Sequence, residues 1–254
     1  MSYRSRVRDL GLVPAGPLPE GVKWLLITNV AVFLFFYLGG LVGYGRGLFG
    51  MLELVPRAVV DFFMVWQLAT YLFLHGGFGH IIWNMLTLWW FGVDLERTWG
   101  TRRFLKFYFF CGVGAGVCVV ILDYLFGNPS SGTIGSSGAI FGILMAYAML
   151  FPDNQVLWAF LIPIKVKYFV AIIGAVTFLM SLSPGESGIS EFAHLGGLLF
   201  GYLFVRGMRS RRPFAFDVIG PAQRGYRQWK LQRAKRKFQV YMRKKGGDRG
   251  PWVN

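Results

Sequence analysis

Long apolar segments separated by short polar or basic stretches dominate this chain of 254 residues. Six of them approach or exceed the roughly 20 apolar residues that a helix needs to cross a bilayer. We expect spanning helices over residues 22–42, 79–95, 104–126, 136–151, 168–182 and 189–205. The pattern predicts an all-α polytopic membrane protein, a bundle of six transmembrane helices.

Residues 43–78 do not fit this simple alternation. Their stretch 58–74 is apolar enough to pass for a span, but it contains Asp61 and Gln67. A charged side chain in the middle of a bilayer is costly. A span here would also reverse the charge asymmetry of all later loops. We expect a long first loop that lies partly in the membrane and contains short helical pieces.

Composition agrees with a membrane protein, since 54% of the residues are hydrophobic and only 15% are charged, against about 25% charged in soluble domains. The net charge of +15 is local. Fifteen of the 27 Lys and Arg residues, but only two of the 12 acidic ones, lie from Arg206 onward. This predicts a cytoplasmic tail that faces anionic lipid and does not bind nucleic acid.

An even number of spans places both termini on one side of the membrane. The basic residues cluster in the N-terminal segment, the loops 96–103 and 152–167, and the tail, which all lie on that side. The positive-inside rule therefore predicts cytoplasmic termini. The predicted organisation is a basic segment (1–21), a six-helix domain (22–206) and a basic tail (207–254), in which residues 223–242 have the pattern of an amphipathic surface helix.

Polar side chains within spans are rare and usually functional. All three histidines, His75, His80 and His194, lie in or beside a predicted span, as do Asn84 and Ser137. Ser137 has small neighbours and opens a helix, where free N–H groups and the positive dipole end favour a nucleophile that forms an oxyanion. The alternative for Ser137 alone is an N-cap serine followed by a packing face.

Ser137 and His194 are predicted to lie at the same depth near the outer face. Two pairs of small residues spaced by four would let their helices pack closely: Gly138 with Gly142, and Gly197 with Gly201. Close packing is what a Ser–His hydrogen bond needs. Glu191, three residues before His194, could reach it, but we place it at the membrane interface.

His80 and Asn84 share a helix face, and both can donate to an oxyanion together with the Ser137 amide. Three histidines also permit a metal site, but no carboxylate or cysteine completes a ligand set. We therefore expect no metal and no cofactor. The same polar residues could instead line the path of a transporter or channel. Against this alternative, no acidic residue other than Asp61 is predicted deep in the membrane, and no internal repeat is evident.

Taken together, these motifs resemble those of the rhomboid family of intramembrane serine proteases over about residues 22–206. The residues that carry the resemblance are Trp66-Gln67, His75 with His80 and Asn84, residues 96–100, Gly135-Ser136-Ser137-Gly138-Ala139, and Ala193-His194 with Gly197. It implies an endopeptidase with Ser137 as nucleophile, His194 as general base and then acid, and His80 and Asn84 in the oxyanion hole.

The resemblance also implies supporting roles. Phe141 would brace His194, His75 would tie the first loop to the second span, and the fifth span would act as a lateral gate. The remaining supporting positions are Gly135, Gly138, Gly197 and Gly201. The implied substrates are transmembrane proteins, and the implied location is a prokaryotic plasma membrane. An inactive rhomboid-like binding protein is the other alternative, and the intact Ser137–His194 pair argues against it.

Overall fold

The structure is a computed structural model that describes residues 16–158, 162–181 and 187–209, together with residues 230, 233 and 235. Its helices are α1 (Glu20–Leu41), α2 (Arg46–Leu52), α3 (Pro56–Asp61), α4 (Gln67–Thr70), α5 (Phe78–Trp99), α6 (Thr101–Phe126), α7 (Ser137–Leu150), α8 (Val166–Ser181) and α9 (Ser187–Arg209). A 3₁₀ turn, Tyr71–Phe73, follows α4, and strands β1 (Gln155–Trp158) and β2 (Ile162–Lys165) lie between α7 and α8.

Each of the six predicted spans corresponds to one long helix: α1, α5, α6, α7, α8 and α9. By length and composition, α1 and α6 are the two described helices that can cross a membrane, while α7 and α8 are also apolar but shorter. Helix α7 lies at the centre of the bundle, and α9 packs against both α7 and α6. The helix that begins with Ser137 is therefore surrounded by other helices.

The predicted first loop contains the short helices α2, α3 and α4. Two neighbouring side chains tie it together. Trp66 Nε1–H donates to the carbonyl of Met51 at 2.9 Å. The fully buried Gln67 accepts from the Val55 amide at 3.1 Å and donates to the same Met51 carbonyl at 3.3 Å. These bonds satisfy backbone groups that an irregular loop leaves open.

The predicted loop 96–103 is wrong. Helix α5 continues through Glu96 to Trp99, and Gly100 alone separates it from α6. Gly100 has φ +78°, a left-handed conformation that suits glycine and ends the helix. Charged residues such as Glu and Arg are good helix formers, so the polar composition did not mark a loop.

The predicted loop 152–167 is also more regular than expected, because it contains an antiparallel hairpin. Gln155 of β1 pairs with Lys165 of β2, and Val156 pairs with Ile164. β-Branched and aromatic residues favour strands. At the end of the hairpin, Asp153 forms ion pairs of 3.0 Å with Lys165 and Lys167. These two lysines hold the pKa of Asp153 below its ordinary value through hydrogen bonds, that from Lys167 foremost.

Glu96 joins α5 to the start of α1. Its carboxylate is 2% exposed and accepts from the amides of Gly21 at 2.8 Å and Val22 at 2.7 Å. It also accepts from the Thr101 hydroxyl at 2.6 Å. The first N–H groups of a helix have no partner within it, and the negative charge matches the positive end of the helix dipole. Glu96 therefore fixes α1 against the junction of α5 and α6.

We expect Glu96→Ala to lower the free energy of unfolding by about 2–3 kcal/mol, because it leaves buried donors without an acceptor. Thermal unfolding of the purified protein in detergent measures this. Glu20→Ala is the matched control, since it removes an exposed carboxylate from the same end of α1. Equal, small shifts for the two variants would contradict the capping role of Glu96.

Residues 1–211 form one compact unit, which contains all the elements named above, and residues 212–254 form a second unit. Within the second unit the structure describes Lys230, Arg233 and Lys235, each in helical conformation. Most of the predicted amphipathic helix 223–242 therefore lies outside the described residues, as does most of the N-terminal basic segment.

Candidate active site

Ser137 is the first residue of α7, directly after a sharp backbone turn at Gly135. Gly135 has φ +115°, and its amide donates to the carbonyl of Tyr71 at 3.0 Å. A Cβ atom on Gly135 would lie 2.6 Å from His80 Nε2. Only glycine fits both the conformation and the space, so the turn brings the backbone before Ser137 directly against His80.

His194 reaches Ser137 from α9. Its Nε2 lies 2.8 Å from Ser137 Oγ, within hydrogen-bonding distance. The ring of Phe141, one turn after Ser137, stacks on the imidazole with centroids 4.2 Å apart and planes 5° apart. The hydroxyl and the imidazole are thus held together, with the ring braced from one side.

Glycines on the facing surfaces of α7 and α9 make this approach possible. A Cβ on Gly197 would overlap the carbonyl oxygen of Gly138, and one on Gly201 would lie 2.7 Å from the carbonyl oxygen of Gly142. The two predicted pairs of small residues are therefore in contact. Backbones this close leave room only for hydrogen atoms between the helices.

His80 and Asn84 lie on α5 beside the turn that precedes Ser137. The same Cβ position on Gly135 is 3.8 Å from Asn84 Nδ2. Asn84 is 7% exposed, and its Nδ2 has no hydrogen-bond partner within the described part of the chain. A buried donor without an acceptor is costly. It is also available to a ligand oxygen.

His75 contacts two residues of the site, Ser136 and His80. Its Nε2 lies 3.4 Å from the hydroxyl of the buried Ser136, and its ring meets the edge of the His80 ring at a centroid distance of 5.1 Å. Burial, followed by the proximity of His80, lowers the pKa of His75 to about 4. A neutral His75 therefore joins the end of the first loop to both α5 and the start of α7.

Two residues that the sequence interpretation did not assign to the site are also part of it. The fully buried Tyr71 accepts from Gly135 through its carbonyl and donates its hydroxyl to the Gly112 carbonyl of α6 at 2.8 Å. Glu191, expected at the interface, instead lies against His194. The i, i+3 spacing was a signal for Glu191, whereas Tyr71 had none.

The comparisons with known proteins agree on one family. A rhomboid domain model matches residues 63–211. RHOMBOID-like protein 1 of Arabidopsis thaliana is 34% identical over 141 residues, which cover 55% of this chain and 33% of that protein. Rhomboid protease GluP of Bacillus subtilis is 33% identical over 156 residues, 59% of this chain and 27% of that protein.

Putative rhomboid protease YdcA of the same bacterium is 33% identical over 138 residues, covering 54% of this chain and 64% of that protein. The chain thus spans about a third of the length of the first two relatives. Because the domain model covers more than half of the chain, the chain belongs to the rhomboid family of polytopic, helical integral membrane proteins.

Proposed function

We propose that this protein is an intramembrane serine endopeptidase that cleaves transmembrane segments through Ser137 and His194. The observation that carries the proposal is the 2.8 Å contact between Ser137 Oγ and His194 Nε2 at the start of a buried helix. A hydroxyl paired with a base is the arrangement that activates a serine nucleophile. The names of the relatives, rhomboid proteases among them, support the same chemistry.

In the first half of the reaction, Ser137 Oγ attacks the carbonyl carbon of the scissile peptide bond. Its proton passes to His194 Nε2 as the Oγ–C bond forms, and the carbonyl oxygen becomes an oxyanion. The imidazolium then gives that proton to the peptide nitrogen, the C–N bond breaks and the amine product leaves. An acyl-enzyme ester on Ser137 remains.

In the second half, water attacks the ester carbon and gives a proton to His194 Nε2. The Oγ–C bond breaks, the carboxylic acid product leaves and the proton returns to Ser137 Oγ. Hydrolysis inside a membrane therefore needs a water-filled cavity that also solvates the polar side chains.

The oxyanion would be bound by the Ser137 amide, His80 and Asn84. What supports this role is that Asn84 Nδ2 has no acceptor among the residues that the structure describes, since an oxyanion would supply one. Donors that are already oriented stabilise developing charge without reorganisation.

We expect Asn84→Ala to reduce kcat by about 10²-fold, the usual cost of losing one oxyanion-hole donor. KM should change little, because the charge exists only in the transition state. Steady-state cleavage kinetics measure both constants. Asn29→Ala is the control, because it removes a buried side-chain amide from α1. A change confined to KM would argue that Asn84 binds substrate instead.

We further propose six spans with both termini in the cytoplasm of a prokaryote. The length of α7 supports a buried site: its 14 residues extend about 21 Å, against a hydrocarbon core of about 30 Å. If its Leu150 end reaches the cytoplasmic surface, Ser137 lies well below the outer one. A substrate helix must then unwind locally to present a carbonyl, which small or helix-breaking residues near the cut favour.

Two measurements on the purified protein in detergent test the proposed activity. We expect cleavage of a single-span test substrate, and we expect a fluorophosphonate probe to form an adduct that mass spectrometry locates on Ser137. A protein that neither cleaves the substrate nor reacts with the probe is not the proposed protease, and transport assays would then follow.

A further inference from the structure

Glu191 contacts Nδ1 of His194, the ring nitrogen that does not contact Ser137. Its Oε2 lies 3.2 Å from His194 Nδ1, and the two residues are three apart on α9. Both side chains are largely buried, with 14% of Glu191 and 18% of His194 exposed. A carboxylate with so little contact with water needs a hydrogen-bonding partner, and His194 supplies one.

This contact bears on which nitrogen of His194 carries the proton. A carboxylate oxygen accepts hydrogen bonds, so the contact favours the tautomer in which Nδ1 is protonated. Nε2 is then left as the acceptor for the Ser137 hydroxyl, 2.8 Å away. The opposite tautomer would direct an N–H at Ser137 and could not take its proton.

The contact with Glu191 also affects the imidazolium that His194 becomes when it accepts a proton during the reaction. Among the described residues, the charged or titratable groups near His194 are Glu191 on its own helix and His80 on α5, while Ser137 faces it from α7. His80 brings no negative charge. Glu191 is therefore the group among the described residues that offsets the positive charge of the imidazolium, in surroundings of low dielectric where such a pair interacts strongly.

We propose that Glu191 is a positioning residue that completes a Ser–His–Glu triad in this protein. It orients His194, holds the proton on Nδ1 and stabilises the imidazolium, without touching the substrate. The inference rests on the proposed protease function and extends the two-residue mechanism derived from Ser137 and His194.

The test compares wild-type protein with Glu191→Gln, Glu191→Asp and Glu20→Gln, all purified full-length in detergent and assayed on the same single-span substrate. For Glu191→Gln we expect kcat to fall about 10²-fold with little change in KM. This is less than the roughly 10⁴-fold loss seen when an amide forces the wrong tautomer, because the glutamine carbonyl can still accept from Nδ1–H.

Rescue by a conservative variant separates this role from simple packing. Glutamine has the size of glutamate but no negative charge, whereas aspartate is shorter and keeps the charge. If Glu191 acts through its charge, Glu191→Asp should keep a higher kcat than Glu191→Gln, the order that a role in packing alone would reverse. Glu20→Gln removes one negative charge from the exposed start of α1 and should keep the wild-type kcat and KM.

Three outcomes overturn the inference. If wild-type protein cleaves and Glu191→Gln matches it in kcat, Glu191 has no such role. If Glu191→Asp loses as much activity as Glu191→Gln, or more, the contact is structural only. If wild-type protein does not cleave at all, the proposed function itself fails and the inference fails with it.

Discussion

Replacing Ser137 with alanine should abolish cleavage of a transmembrane substrate while leaving the fold intact. The variant loses the nucleophile, so no acyl-enzyme can form, and His194 has no hydroxyl to deprotonate. Loss of a serine nucleophile costs up to about 10⁶-fold in kcat in a soluble serine protease, so residual turnover should fall below detection. Among the described residues, the Ser137 hydroxyl has its hydrogen bond with His194, which belongs to the site, and we therefore expect the thermal midpoint to change by little.

Ser136→Ala is the matched control, because it removes the neighbouring hydroxyl. Ser136 contacts His75 at 3.4 Å, at the outer limit of a hydrogen bond. We expect this variant to keep most of the cleavage activity. Cleavage that survives in Ser137→Ala would exclude Ser137 as the sole nucleophile.

Replacing Gly197 with alanine should disrupt both the fold and the site. The added methyl group would overlap the carbonyl oxygen of Gly138, and backbone atoms cannot move aside as a flexible side chain can. Overpacking of this kind costs about 1–3 kcal/mol, and sometimes more. Helices α7 and α9 must then separate, which lengthens the distance between Ser137 Oγ and His194 Nε2. Because catalysis depends on that distance to within about 1 Å, we expect a loss of about 10²-fold or more in kcat.

Gly40→Ala provides the comparison for this substitution. A methyl group on Gly40 of α1 would meet no atom within 4 Å, and alanine is the better helix former. Thermal unfolding in detergent and substrate cleavage should both remain at the wild-type level in this variant. A Gly197→Ala protein as stable and active as Gly40→Ala would show that α7 and α9 can tolerate a wider separation.

Most of the helical architecture could be predicted from the chain. Apolar runs of the required length are visible without any knowledge of contacts, and each predicted span overlaps a helix of the structure. The two loop predictions were wrong where composition is ambiguous. Charged residues around Glu96 form helix as readily as loop, and the hairpin at Gln155–Trp158 depends on pairing with a second strand.

The contact between Ser137 and His194 was also expected from helix depth and glycine spacing, although the two residues are 57 positions apart. The catalytic roles of these residues, of His80 and of Asn84 remain predictions that the experiments above address. Glu191 shows the limit of this reasoning. The spacing permitted its contact with His194, but the direction of a carboxylate depends on what surrounds it.

The sequence by itself determined where the apolar helices lie, which polar residues are costly to bury, and which faces carry glycine. These are local properties, set by the cost of desolvation and by the helical period. Only the tertiary structure decided that Glu96 caps α1, that Tyr71 holds the turn at Gly135, and that Glu191 faces His194 Nδ1. Each of these contacts depends on how helices or loops pack or on which way one side chain turns, and no local pattern encodes that geometry.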